Sequence, residues 1–375
     1  MNALFTFGKT VSGDAFTDRE NETTKLVSNF QYGVNTFIVS PRRWGKTSLV
    51  KKAKSLAEND KLKIVYVDVQ QCRSEEEFCE RYASAVLTQT ANKMDEWLEN
   101  AKSFLSRFSF GVNTSPDPNS EMSIKIQLSS KERPTEDLLQ LPEKIATRKG
   151  IHIVVCIDEF QQITRYPEKN VEALLRTHIQ KLSNANFVFS GSRRRLMEDM
   201  FFSSKRPFFQ SAKAIRLEPI EKDVYLDFAS HHFKEAGKDI DADAFGYVYD
   251  TFWGVTFYVQ RIMKDAFADT PVGGSCNMDT IKQLIADFID ENDSHLREQL
   301  SFITEAQKEL LYAIHAEGQV QSITSAAFNK KHRLRSPSST QAASLKLLEY
   351  DLITRKEKIY SLTDPLLNLW LTRKR

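Results

Sequence analysis

The 375-residue sequence predicts an α/β domain built on a parallel sheet, then an all-helical segment, then a small domain of three helices and a two-stranded hairpin. Three observations lead there. Thr36-Phe37-Ile38-Val39 runs through Ser40-Pro41-Arg42-Arg43-Trp44-Gly45-Lys46-Thr47 into Ser48-Leu49-Val50-Lys51-Lys52-Ala53, which reads as a strand, a tight loop and a helix start. Ile151 to Ile157 is an almost unbroken apolar run, as expected of a strand buried on both faces, and it ends in Asp158-Glu159. From Thr304 the pattern is helix, helix, helix and hairpin, which describes a winged helix.

A polyphosphate requires positive potential without bulk, and a loop of inward-facing N–H groups at a helix N-terminus supplies it. The phosphate-loop pattern G-x-x-x-x-G-K-[ST] is met at all but its first position, where Ser40 replaces glycine and Pro41 partly compensates by fixing its own φ. Gly45 keeps the backbone close, Lys46 is expected to reach the β/γ-phosphates, and the Thr47 hydroxyl to enter the shell of Mg²⁺. The nucleotide-binding stretch is thus Ser40, Pro41, Arg42, Arg43, Trp44, Gly45, Lys46, Thr47 and Ser48. A chance Gly-Lys-Thr in a surface turn is the alternative, and the flanking strand and helix argue against it.

Acids at the carboxyl end of a central strand sit where ligands bind in such sheets. Asp158 is expected to hold Mg²⁺ through water, and Glu159 to orient and polarise the attacking water. Alone, the pair reads equally as a helix cap after a core strand. With the phosphate loop it reads as Walker B beside Walker A in a P-loop NTPase core. The third strand, Asn186 to Phe189, runs into Ser190-Gly191-Ser192. Ser190 and Ser192 are candidates to touch the γ-phosphate or the water, although the segment by itself is equally a turn. The paired Walker A and Walker B motifs make ATP with Mg²⁺ the expected cofactor.

Composition sets the frame. Hydrophobic content of 41% and charge of 27% belong to an ordinary water-soluble protein, and the net charge of +2 excludes little. The C-terminal end is clearly positive, with Lys330, Lys331, Arg333, Arg335, Lys346, Arg355, Lys356, Lys358, Arg373, Lys374 and Arg375 against Glu349, Asp351, Glu357 and Asp364. No apolar run approaches the ~20 residues of a membrane helix and no signal peptide is apparent, so a cytoplasmic location is expected. Cys72, Cys79, Cys156 and Cys276 lack zinc or redox spacing and read as free, structural thiols.

The remaining elements follow from periodicity. A helix is expected over Thr23 to Phe30, a strand over Lys63 to Val69, and a helix over Ser74 to Ala91 continuing as far as Leu105. Phe108 to Leu128 alternates around Ser115-Pro116-Asp117-Pro118-Asn119 as a hairpin, either a packed decoration or a partner-binding arm. Helices are expected over Pro134 to Arg148 and Val171 to Ser183, and the last core strand over Ile215 to Ile220. From there the pattern is wholly helical: Val224 to Ala236, Ala242 to Thr251 and Thr256 to Ala268 as a lid, then Met278 to Glu291 as a connection. His231 and His232, being adjacent on a helix, should point apart and make a poor metal pair. In the last domain Ala306 to His315, Ile323 to Asn329 and Ser338 to Tyr350 are the helices, with Ser338-Ser339-Thr340 as cap and Leu345, Leu347 and Leu348 as core candidates. Leu352 to Arg355 and Lys358 to Leu362 form the wing. Arg333, Arg335 and Lys346 are candidates for phosphate contact, and Lys356 and Lys358 for a groove, while winged helices also serve as protein docking modules.

Phe16-Thr17-Asp18-Arg19-Glu20, Pro-Arg-Arg-x-Gly-Lys-Thr, Ile-Asp-Glu-Phe, Ser-Gly-Ser and Leu362-Thr363-Asp364-Pro365-Leu366 together resemble the prokaryotic AAA+-like ATPases of the archaeal ATPase group within the STAND class. The resemblance implies an ASCE-type core, a helical lid and a winged helix used as a nucleotide-dependent switch. It places Phe16 and Arg19 near the adenine. Where relatives often carry Gly-x-Pro against the base, this chain has Gly254-Val255-Thr256, which puts Thr256 at that position. Where many carry Pro-Leu-Tyr-Gly-Arg, it has Pro207-Phe208-Phe209-Gln210-Ser211 and lacks the arginine, so hydrolysis is expected to be slow, with Arg193, Arg194, Arg195 and Arg206 the arginines nearest in sequence. The expected organisation is a core over 1–220 with an inserted hairpin at 108–128, a lid over 221–290 and a winged helix over 291–375. ATP and ADP, a protein or DNA at the winged helix, and a second copy of the chain are the expected partners, with no membrane contact. The competing expectation is a nucleic-acid-binding regulator in which nucleotide is a structural or assembly ligand.

Overall fold

The computed structural model describes residues 5, 7, 16–91, 109–113, 123–127 and 135–374. It divides into two compact units, Thr10–Glu218 and Met1–Lys9 with Pro219–Arg375.

In the first unit β1 (Thr36–Val39), β2 (Leu62–Asp68), β5 (His152–Asp158), β6 (Ala185–Gly191) and β7 (Lys213–Arg216) form one parallel sheet in the order β2-β5-β6-β1-β7. A strand therefore stands between the phosphate-loop strand β1 and the acidic strand β5, as an ASCE-type core requires. Parallel register brings every carboxyl end to one edge, with Asp68 opposite Asp158 and Val39 opposite Gly191. Both faces are covered. Phe37, Val65, Val155, Phe187 and Phe189 bury one face, and Ile38, Ile64, Val154, Cys156 and Val188 bury the other against Leu49, Val50 and Ala53. This alternation at period two is why the strand sequences read as continuous apolar runs. Phe37 stacks on Phe201 at 4.3 Å, and Phe160, Phe189 and Phe208 close the cluster behind the carboxyl edge.

Several expectations are corrected here. The single helix Pro134 to Arg148 is two, Thr135–Leu139 and Leu141–Lys149. Pro142 lies in the first turn of the second, where its missing N–H costs nothing, whereas in a continuous helix its ring would meet the Leu138 carbonyl. The last core strand is Lys213–Arg216 rather than Ile215 to Ile220, and the Glu218 carbonyl accepts from Arg19 instead of joining a ladder. The helix from Ser74 is Glu75–Thr90, capped by Ser74, and its expected continuation to Leu105 lies outside the described residues. β3 (Ser109–Asn113) and β4 (Ser123–Gln127) pair antiparallel, and β4 packs against the Glu75–Thr90 helix. Phe108, Leu128 and the turn between the strands lie outside the described residues.

The second unit contains the helices Lys222–Glu235, Ala242–Thr251, Thr256–Asp269 and Met278–Glu291. It is not wholly helical up to that point, because β8 (Asp239–Ile240) and β9 (Ser275–Cys276) pair in parallel. His231 and His232 do not point apart either: their ring nitrogens lie 3.3 and 3.2 Å from the two oxygens of Glu235, which is a helical neighbour of both. His232 is buried against Phe228 while His231 is exposed, so only His232 packs into the unit. Asp293–Ser301, Glu305–Glu317, Ala326–Lys331 and Pro337–Glu349 follow, then β10 (Ile353–Lys356) paired antiparallel with β11 (Ile359–Leu362), then Pro365–Arg373. The cap of Pro337–Glu349 is Ser336, whose Oγ accepts from Ser339 N–H, because Pro337 takes the first helical position. Leu347 is buried, but Leu345 is 53% exposed and does not belong to the core. Tyr258 donates to both Asp364 oxygens at 2.7 and 2.9 Å, and Trp370 Nε1 donates to Asp293. Hydrogen bonds from Arg297, Trp370 and Lys374 hold the Asp293 carboxyl well below the usual carboxylate range.

The four cysteines are buried and free. Among the described residues no helix is long and apolar enough to cross a membrane.

Gly191, the last residue of β6, is packed so closely that an added Cβ would overlap Gln161 Oε1 and lie 2.7 Å from Met197 Sδ. Gly191→Ala should therefore destabilise the protein by about 1–3 kcal/mol through overpacking. Thermal denaturation followed by circular dichroism should show the midpoint falling by several degrees.

Candidate functional site

The loop after β1 turns with two left-handed residues, Arg43 at φ 69° and Gly45 at φ 86°, on either side of Trp44. Alternating hand aims successive N–H groups to one side, the geometry of an anion nest. Gly45 is the residue before the helix Lys46–Ala57, and a Cβ placed on it would have nothing within 4 Å, so the mouth of the loop is open. Arg42 and Arg43 are exposed, Pro41 and Trp44 half-buried, and Ser40 and Ser48 buried. Ser40 Oγ donates to the Pro41 carbonyl at 3.0 Å, which shows how serine completes the turn at the position where the motif has glycine. Lys46 is 7% exposed, with Nζ 2.9 Å from Pro41 O and 3.5 Å from Ser40 O. Its charge is thus held inside the curve of the loop.

Thr47, in the first turn of that helix, donates its hydroxyl to Asp158 Oδ2 at 3.1 Å. The two residues arrive from strands separated by β6, and they meet because the loop reaches over the sheet edge. Asp158 is 7% exposed and fully engaged: Oδ2 also accepts from the Tyr66 hydroxyl at 2.5 Å, and Oδ1 from the Glu159 N–H at 3.0 Å. Glu159 itself sits at φ 55°, a strained conformation for a residue with a side chain, before the 3₁₀ turn Phe160–Arg165. Its Oε2 accepts from Ser192 Oγ at 2.7 Å and from Gln161 Nε2 at 2.5 Å. Among the described residues Oε1 carries no hydrogen bond. Ser190 is 2% exposed, and its buried Oγ has no hydrogen-bond partner among the described residues.

The fold therefore brings together Lys46, Thr47, Asp158, Glu159 and Ser192 at one edge. A hydroxyl and a carboxylate at hydrogen-bond distance are the oxygen donors a hard cation such as Mg²⁺ takes, and the orphaned Ser190 Oγ is a polar atom in want of an acceptor. These residues fit a Mg-nucleotide. Phe16 lies beside the phosphate-loop helix with Lys52 Nζ 5.7 Å from its ring centroid. Arg19 is buried, donating to Glu218 O at 2.6 Å and Glu22 Oε1 at 3.2 Å. Thr256 belongs to the other unit, at the start of the helix Thr256–Asp269, with a buried Oγ1 that has no hydrogen-bond partner among the described residues. Arg206 is held by Glu172 and Asp199, and Arg194 by Glu198.

Two residues at the site escaped the sequence reading. Gln161 lies in the turn that no apolar pattern marks, and Tyr66 lies inside the β2 run, where an aromatic residue reads simply as a strand former. The available signal for Tyr66 was its period-two spacing from Asp68.

No curated protein matches this chain. Among solved structures, the Walker-type ATPase PABY2304 of Pyrococcus abyssi superposes with a TM-score of 0.69 at 17% identity, over 98% of this chain and 99% of that one. The ORC2 protein of Aeropyrum pernix, solved as ADPNP–ADP complexes, superposes with a TM-score of 0.58 at 13% identity, over 100% and 98%. Likeness at such identity shows the fold. A probable winged helix domain matches residues 294–373, and the ATPase domain predominantly from Archaea matches residues 16–261. The chain belongs to this family of ATPase domains.

Proposed function

We propose that the chain is a cytoplasmic molecular switch that binds Mg·ATP in the loop Ser40 to Ser48, hydrolyses it slowly, and uses nucleotide state to control its C-terminal winged-helix segment. The observation that carries this reading is the 3.1 Å contact of Thr47 with Asp158 beside the enclosed Lys46. Mg²⁺, when bound, supplies charge neutralisation at the phosphates. The Lys46 ammonium binds anionic phosphate oxygens as a point charge. Thr47 commits its proton to Asp158, which leaves its lone pairs for a cation, and Asp158 would hold that cation through water. Glu159 keeps Oε2 fixed on Ser192 and Gln161, so Oε1 is the oxygen that takes the proton of the attacking water. Ser190 supplies a hydroxyl to the γ-phosphate or the water.

A slow rate is supported by the ion pairs that hold Arg194 and Arg206, since an arginine at the transferring phosphate is worth roughly 10³ to 10⁵ in rate in related chemistry. A second copy of the chain is one source of such an arginine. Phe16 and Arg19 are assigned to the adenine by resemblance to the family. The switch operates because triphosphate and diphosphate contact the chain differently and so favour different arrangements of it.

One observation favours a second reading, in which the winged helix binds nucleic acid: Arg333, Arg335, Lys356 and Lys358 are all exposed. Lys346, by contrast, is paired with Glu349 at 2.8 Å. If these side chains engage phosphates, duplex DNA affinity should fall with salt at a log–log slope of about 0.9 per contact in an anisotropy titration. No binding at low salt removes this reading.

Steady-state phosphate release tests the first. Lys46→Ala should weaken nucleotide binding by about tenfold to a hundredfold, the worth of hydrogen bonds to a charged group. Glu159→Gln should bind nucleotide normally and lower turnover by about 10² to 10⁴, the range of a general base. Equal activity in wild type and both variants would reject these roles.

A further inference from the structure

We infer that Tyr66 is a positioning residue for the cation-side carboxylate: its phenol, held in place by Gln89, fixes Asp158 Oδ2 toward Thr47. The inference rests on the nucleotide reading of this site. β2 is an edge strand, and Asp68 is in register with Asp158 of β5. Tyr66 shares the face of Asp68 one pleat back, so its ring runs along the sheet toward the carboxyl edge. There its hydroxyl donates to Asp158 Oδ2 at 2.5 Å, the same oxygen that accepts from Thr47 at 3.1 Å. Two donors on one oxygen and the Glu159 N–H on the other fix the carboxylate in both tilt and rotation.

The anchor of Tyr66 is unusual for an edge strand, which ordinarily leaves a row of N–H and C=O groups unpaired. At this residue the Gln89 side-chain amide fills both: Tyr66 N–H donates to Oε1 at 2.9 Å, and Nε2 donates to Tyr66 O at 2.8 Å. Lys54 Nζ, on the phosphate-loop helix, lies 3.4 Å from the same Oε1. A chain of contacts thus runs from that helix through Gln89 and Tyr66 to the carboxylate. A phenol suits the task because it donates a hydrogen bond without adding a positive charge that would compete with a cation.

The test is Tyr66→Phe in the full chain, which keeps the ring and removes only the donor. Binding of a fluorescent N-methylanthraniloyl ATP is measured in a Mg²⁺ titration and in EDTA, beside a thermal melt. Loss of an outer-shell partner should raise the half-saturating Mg²⁺ concentration about tenfold. Affinity in EDTA should equal that of wild type, and the melting midpoint should remain close. An unchanged Mg²⁺ response overturns the role of Tyr66. An equal loss with and without Mg²⁺ also overturns it, because that marks a merely structural residue. A wild-type chain that binds the probe without any Mg²⁺ response overturns the cation reading of the site itself, which separates that failure from the failure of Tyr66.

Discussion

The contact between the Thr47 hydroxyl and the Asp158 carboxylate, at 3.1 Å, is the point on which the rest of the structure converges. A buried carboxylate is costly unless it is hydrogen-bonded, and Asp158 meets that demand with donors from three places: the phosphate-loop helix, the edge strand β2 and its own following residue. Those donors coincide only if β1, β5 and β2 run parallel and in register, so that their carboxyl ends share one edge. The sheet order, with β6 between β1 and β5, sets the gap that the Thr47 side chain must span.

Backbone strain is present at the same edge. Arg43 and Glu159 hold left-handed backbone angles that cost on the order of 1–3 kcal/mol each in residues bearing side chains. The apolar clusters on the two sheet faces, and the aromatic group of Phe37, Phe160, Phe189, Phe201 and Phe208 behind the edge, offset that cost. A rigid support lets the loop present Lys46 and lets Glu159 keep one oxygen tethered. Gly191 contributes by its absence of bulk, which leaves room for Gln161 beside the glutamate.

Much of this was legible in the sequence because it is written in local pattern. The buried runs at Thr36 to Val39 and Ile151 to Ile157, the Gly45-Lys46-Thr47 triplet and the acids after the second run give the parallel sheet and the two halves of the site. What was missed depends on partners distant in sequence. Gln89 pairs with the Tyr66 backbone across 23 residues, and nothing in either segment announces it. β8 and β9 are two residues each, too short for periodicity to register. Leu345 lies on the exposed side of its helix although it is apolar, since single exposed leucines are normal at surfaces. The helix break at Pro142 and the cap at Ser336 were readable in principle, because both follow from proline chemistry, but the apolar spacing around them masks the boundary.

The most direct test of the convergence at Thr47 and Asp158 is a crystal structure of the protein with Mn²⁺ and a non-hydrolysable ATP analogue, phased to reveal anomalous scattering. The account predicts a manganese peak about 2.1 Å from Thr47 Oγ1, the bond length of a hard cation to oxygen, with Asp158 reaching its coordinated water and the β/γ-phosphates on the Lys46 loop. A peak elsewhere, or an analogue bound away from Gly45 to Thr47, would contradict it.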